Sequence, residues 1–351
     1  MNNIFISIFF IFFIFTQSTF AGIIAEVSSF FNQDTQKRVI FFGDVHFDIE
    51  DVANAQWILW KSLVERISLS SLNKNHKILF IVEESDSPNI FTKLPKVLQA
   101  KQIPIKLCDV RSIFAHVLEK LENKISNLPS IKNIFCTLEE PLVCVKSNSY
   151  LANVLSKEIS NVDRIFQDFK QESESILKEI IQEDYPSSLD LVKNSPCDKL
   201  ASLLNDTEHE FACNIIQEFA QNYIIYYSSE PETVDIFDIN SLLTINDAQD
   251  GSVLVHVAGI SHKKRLESML LKTGFVQEVS FANEDLSEVL NEINKELAAR
   301  VTEHFGTNPS AELLSDICCF HNQIASSVIY PFIDKIAVNP EAFEVLDTHF
   351  N

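Results

Sequence analysis

The feature that most constrains the fold of this chain is a set of short, unbroken apolar runs separated by amphipathic stretches. Residues 39–42 read Val-Ile-Phe-Phe, 78–82 read Ile-Leu-Phe-Ile-Val and 253–258 read Val-Leu-Val-His-Val-Ala. Runs of this length, without polar alternation, read as strands buried on both faces. After the first run, residues 48–67 carry Val52, Trp57, Leu59, Trp60 and Val64 at helical spacing, with acidic residues in the first turn. Residues 94–102 predict a second helix, and 103–108 a third strand. Strand and helix in alternation predict a parallel sheet with right-handed crossovers. The expected fold class is therefore α/β: a mostly parallel central sheet with helices on both faces.

The middle of the chain differs. From residue 113 to about 227 the pattern is long, charged and helical, as at 151–183, where Val154, Ile159, Val162, Ile165, Phe166 and Phe169 recur. Pro129, Pro141, Pro186 and Pro196 are expected to break it. The α/β pattern returns at 253, followed by a helix over 263–272 that Gly274 stops, a last strand over 275–281 and an amphipathic helix over 286–304. Residues 23–34 read as a lead into the domain. The expected organisation is a signal peptide at 1–21, the first part of the core at 22–112, a large helical insertion or cap at 113–230, and the second part of the core with C-terminal helices at 231–351.

Charge and glycine content exclude whole classes of function. Lys and Arg number 28 against 49 Asp and Glu, a formal charge of −21. Such a surface repels phosphate backbones and anionic membranes, so no nucleic-acid partner is expected. With six glycines and neither GxGxxG nor GxxxxGK[ST], there is no phosphate-cradling loop. Residues 4–15 are almost wholly apolar but too short to span a bilayer, and Thr19-Phe20-Ala21 before Gly22 fits a small-x-small cleavage site. Export by a signal peptide to a secreted or periplasmic location is the expectation, with no stable membrane span after its removal. An uncleaved N-terminal anchor is the alternative. Seven cysteines leave at least one unpaired; Cys136 with Cys144, and Cys197 with Cys213, are the nearest candidate bridges.

Chemistry points to two short motifs, Gly43-Asp44-Val45-His46 and Gly259-Ile260-Ser261-His262, each placed after a buried apolar run. Six glycines and nine histidines would produce roughly 0.15 such Gly-x-x-His pairs by chance. The carboxyl ends of parallel strands line the ligand crevice, and glycine allows the sharp turn that brings a later side chain back over the edge. Glu83 follows the second strand, with Glu84 as its competitor for the inward position, and Asp109-Val110-Arg111 follows the third. A His, His, Glu set suits a divalent metal, here His46, His262 and Glu83, with Asp44 as a further ligand or as a partner orienting His46. Arg111 would face an anionic substrate or oxyanion. His256, inside a strand, reads as a core histidine. His321 beside Cys318 and Cys319 reads as local packing, and Asp235 and Asp238 as helix-start or loop residues. Ser261 lacks the GxSxG elbow of a serine hydrolase.

The paired motifs, with a glutamate after the second strand, resemble the superfamily that joins Tiki, TraB/PrgY, GumN and the erythromycin esterase/ChaN-like proteins. The resemblance covers residues 39–111 and 253–275. It implies an α/β core with helical additions and a cleft built by His46, His262, Glu83 and Arg111. It also implies a metal-dependent hydrolase, in the manner of a peptidase, acting on a peptide or small molecule with a divalent ion. The alternative is a haem- or ligand-binding protein of the same fold without turnover. In the hydrolase reading, Glu84 or Asp44 takes the proton of the attacking water.

Overall fold

The computed structural model describes residues 23–45, 50–83, 90–108, 131–184, 223, 234–283, 285–307 and 314–350. The chain divides into two compact units, one of residues 1–108 with 244–351 and one of residues 109–243.

In the first unit, strands β1 (Ile23–Asn32) and β2 (Lys37–Val45) form a hairpin. Helix α1 (Glu50–Leu69), the short α2 (Ser71–Lys74), β3 (Ile78–Val82), α3 (Ile90–Ala100) and β4 (Ile105–Leu107) follow. The second unit holds α4 (Ile131–Ser147), α5 (Ser149–Val154) and α6 (Ser156–Asp184), and the boundary falls within α7 (Ile236–Asp247). The first unit then resumes with β5 (Val253–Gly259), α8 (Ser261–Lys272), β6 (Phe275–Ala282), α9 (Leu286–Phe305) and α10 (Leu314–Ile329). A 3₁₀ turn (Tyr330–Phe332), α11 (Ile333–Ile336) and α12 (Glu341–Asp347) end it.

The six strands form one sheet in the order β4-β3-β5-β2-β1-β6. The pairings β2–β5, β3–β5 and β3–β4 are parallel, so the mostly parallel core stands. Two antiparallel pairings, β1–β2 and β1–β6, make the sheet mixed. Residues 23–34 are thus not a lead-in: most of them form an interior strand of ten residues. Its sequence hides this because Glu26, Ser28 and Ser29 interrupt the apolar residues, and because a bulge at Ala25 shifts the alternation.

One face of the sheet packs Ile24, Val27, Ile40, Phe42, Phe80, Val255 and Val257 against Trp60, Val64 and Ile67 of α1, Leu94 and Leu98 of α3, and Phe343 of α12. At the β1–β2 end the other face sets Ile23, Ala25 and Val45 against Val289, Ile293 and Leu297 of α9, with Ile329 and Ile336. Helices therefore cover both faces. Gly274 ends α8 with φ +85°, the left-handed conformation that stops a helix.

Within the second unit, Phe135 of α4 packs its ring on Phe169 of α6 with centroids 5.7 Å apart. Pro141 does not break α4, contrary to expectation, since the helix runs through it. Leu138, Leu142 and Val145 are buried on either side, and their packing outweighs the lost backbone bond. Pro129, Pro186 and Pro196 lie outside the described residues. No helix among the described residues is long and apolar enough to cross a membrane.

Candidate active site

The carboxyl ends of β2, β3 and β5 share one edge of the sheet, with β3 stopping two residues short of β5. Gly43 pairs with Ala258 and Asp44 with Gly259, so the two motif glycines arrive within one residue of each other on adjacent strands. Past the end of β3, Glu83 N–H still donates to Val257 O at 2.9 Å, which keeps Glu83 level with Ala258. The chain leaves β5 directly into α8: Ile260 N–H donates to Asp44 O at 2.8 Å, and the helix begins at Ser261.

Gly259 stands where the chain turns from β5 into α8, but Gly43 serves a different purpose from the sharp turn expected of it, since it lies inside β2 rather than at its end. A Cβ at Gly43 would stand 3.0 Å from Phe41 Cε1 and 3.3 Å from Ile260 Cγ1. The missing side chain makes room for Ile260, and so for the start of α8 against β2.

Glu83 and His262 meet at this edge. Both are buried, at 3% and 7% exposure. Glu83 Oε2 accepts the Gly259 N–H at 2.7 Å, and Glu83 Oε1 lies 3.9 Å from His262 Nε2. A carboxylate this deep needs partners, and the Gly259 amide satisfies one oxygen while aiming the other at the imidazole. Two donors about 2.1 Å from a tetrahedral ion stand roughly 3.4 Å apart, so this carboxylate–imidazole pair fits a small divalent ion after a shift of about half an ångström.

Asp44 is not brought to that pair. The register sets it beside Ile24 and next to Phe42, on the face that packs against α1, and it is 1% exposed. Glu83 follows Val82 and takes the opposite face, with Ile81, His256 and Phe41. His46, Glu84, Asp109 and Arg111 lie outside the described residues. His256 is fully buried and stacks on Phe41, with centroids 5.3 Å apart. Asp238 N–H donates to Asp235 Oδ1 at 2.9 Å and Asp235 N–H to Asp238 Oδ2 at 3.1 Å, a reciprocal cap at the start of α7.

The Cys136–Cys144 bridge is overturned. Both are free, exposed thiols on α4, and eight helical residues separate their Cα atoms by about 12 Å, against a limit near 7 Å for a disulfide. Cys197 and Cys213 lie outside the described residues.

Sequence reasoning missed Glu26 and Lys263. Lys263 Nζ pairs with Glu26 Oε1, which also accepts a hydrogen bond from Ser28 Oγ at 3.0 Å. A signal for Lys263 was present, because residues 263–265 are the one place where three Lys or Arg stand in a row. None existed for Glu26 without knowing that β1 lies beside β2.

No family model, no curated protein and no solved structure matches this chain.

Proposed function

We propose that this chain is an exported metal-dependent hydrolase, acting in the manner of a peptidase on a peptide or small-molecule substrate with a hydrolysable carbonyl. His262 and Glu83 would hold the ion, and His46, which follows β2 in the sequence, would complete the set. The observation that carries the reading is the buried approach of Glu83 Oε1 to His262 Nε2, 3.9 Å apart at the carboxyl edge of a parallel sheet. When bound, such an ion supplies Lewis-acid polarisation of the carbonyl and a water of lowered pKa. The Gly259 N–H fixes the rotation of the Glu83 carboxylate, which turns Oε1 toward His262 Nε2. Glu84 would accept the proton of the attacking water, and Arg111 would stabilise the developing oxyanion.

Metal analysis of the purified protein tests this reading. The wild type should carry close to one zinc, manganese or iron per chain after dialysis. His46→Ala, His262→Ala and Glu83→Ala should each lose most of it, and with it hydrolysis of a peptide library. Wild-type protein that binds no divalent ion at micromolar concentration refutes the proposal. If that protein instead gives a Soret band with haemin, and His262→Ala abolishes the band, the haem-binding reading replaces it.

A further inference from the structure

The first turn of α8 is basic where a helix disfavours it. Residues 262–265 read His-Lys-Lys-Arg in a chain of net charge −21. Cations at a helix N-terminus oppose the macrodipole, and Ile260 gives this end no side-chain cap. Two buried glutamates on different strands hold the turn instead. His262 approaches Glu83 beside β3, while Lys263 pairs with Glu26 on β1 and reaches Glu267 at 3.4 Å. Consecutive helical residues diverge by about 100°, so neighbours in sequence can reach in different directions.

The two glutamates occupy one row across the sheet. Glu83 is level with Ala258, Ala258 pairs with Gly43, and Gly43 pairs with Glu26. Three strand spacings, about 14 Å, separate the ends of the row. Between them stand only a methyl group and a hydrogen, and Ile260 settles over the glycine. Glu26 is itself held, since Ser28 Oγ and Ser280 Oγ donate to its Oε1 at 3.0 and 3.4 Å. The start of α8 thus has an attachment near each end of the row and a hollow for Ile260 between them.

We propose that Glu26 and Lys263 are positioning residues: their half-buried ion pair clamps the first turn of α8 on the β1 side and thereby sets the aim of His262 at Glu83. The functional meaning of the clamp rests on the hydrolase reading above; its mechanical action does not.

Amide hydrogen exchange in the full chain separates the two. The Gly259 N–H, held by Glu83 Oε2, reports engagement at the start of α8, and the Val255 N–H in the same strand reports global opening. Glu26→Gln keeps a polar group for the two serines but removes the charge. Lys263→Met removes the ammonium, and Lys263→Arg retains a cation. Exchange at Gly259 should quicken about tenfold in Glu26→Gln and in Lys263→Met, stay near wild type in Lys263→Arg, and leave Val255 unchanged in all three. Cobalt(II) affinity, read from its visible absorption, should weaken in the first two variants and recover in the third. Unaltered exchange at Gly259 in both charge-removing variants, or equal acceleration at Val255, overturns the positioning role. If cobalt does not bind wild-type protein while Gly259 responds as described, the metal reading falls and the clamp stands.

Discussion

A methyl group added to Gly43 would meet the Phe41 ring at 3.0 Å and Ile260 Cγ1 at 3.3 Å. Phe41 is buried and already stacked on His256, so it has little room to give way. Gly43→Ala should therefore destabilise the protein by about 1–3 kcal/mol, the usual cost of overpacking. It should also displace Ile260, and with it the first turn of α8. Gly306→Ala makes the comparison: its Cβ would meet open space, but its φ of +83° is unfavourable for alanine, at about 1 kcal/mol. Urea midpoints of the two variants measure the difference, and a Gly43→Ala midpoint equal to wild type would remove the packing role given to this glycine. Glu83 and His262 were legible in the sequence because each follows a buried run whose end could be read directly. Glu26 was not, because its value depends on which strand lies beside β2.

Among elements, the strands that declared themselves were those buried on both faces. β2, β3 and β5 are solid apolar runs, whereas β1 reads Ile-Ile-Ala-Glu-Val-Ser-Ser-Phe-Phe-Asn and satisfies no simple period. β4 was read too long because Ile103 and Pro104 are apolar; only Ile105–Leu107 form the strand. The C-terminal segment offers a test by pH. Arg38 grips Glu278 of β6 through Nε at 2.9 Å and Nη2 at 3.0 Å, and these hydrogen bonds hold the carboxyl below the usual glutamate range. His349, just beyond α12, has its imidazole pKa lowered by burial first and by the Arg38 charge second. Both groups have folded pKa values below their unfolded ones, so each contributes stability at high pH that is lost as pH falls. The His349 part fades from about pH 6.5 downward and the Glu278 part from about pH 4.3 downward. Thermal midpoints taken from about pH 8 down to about pH 2 should fall in two stages, and His349→Gln should flatten the first. An identical profile in that variant would show that His349 does not govern the loss.

At the scale of the whole molecule, the apolar run at residues 4–15 and the Ala21–Gly22 junction predict processing. Protein recovered from its native host should begin at or near Gly22, and a mature chain retaining residues 4–15 would show an anchor instead. The α/β class was legible throughout, since strand and helix alternate in the sequence as they do in space. The mixing of strand directions was not, because it comes from β1 alone, which runs against the other five strands and whose sequence reads as a lead-in rather than a strand. The strand order has a further consequence for how this chain is made. β5 fills the place between β2 and β3, but it is synthesised after the entire second unit. Until residue 259 has been added, β2 and β3 share no common neighbour, and β1 lacks its outer partner until residue 282. A nascent chain of this topology cannot complete its sheet during most of its synthesis. The chain therefore acquires its complete core only once these late strands have been made.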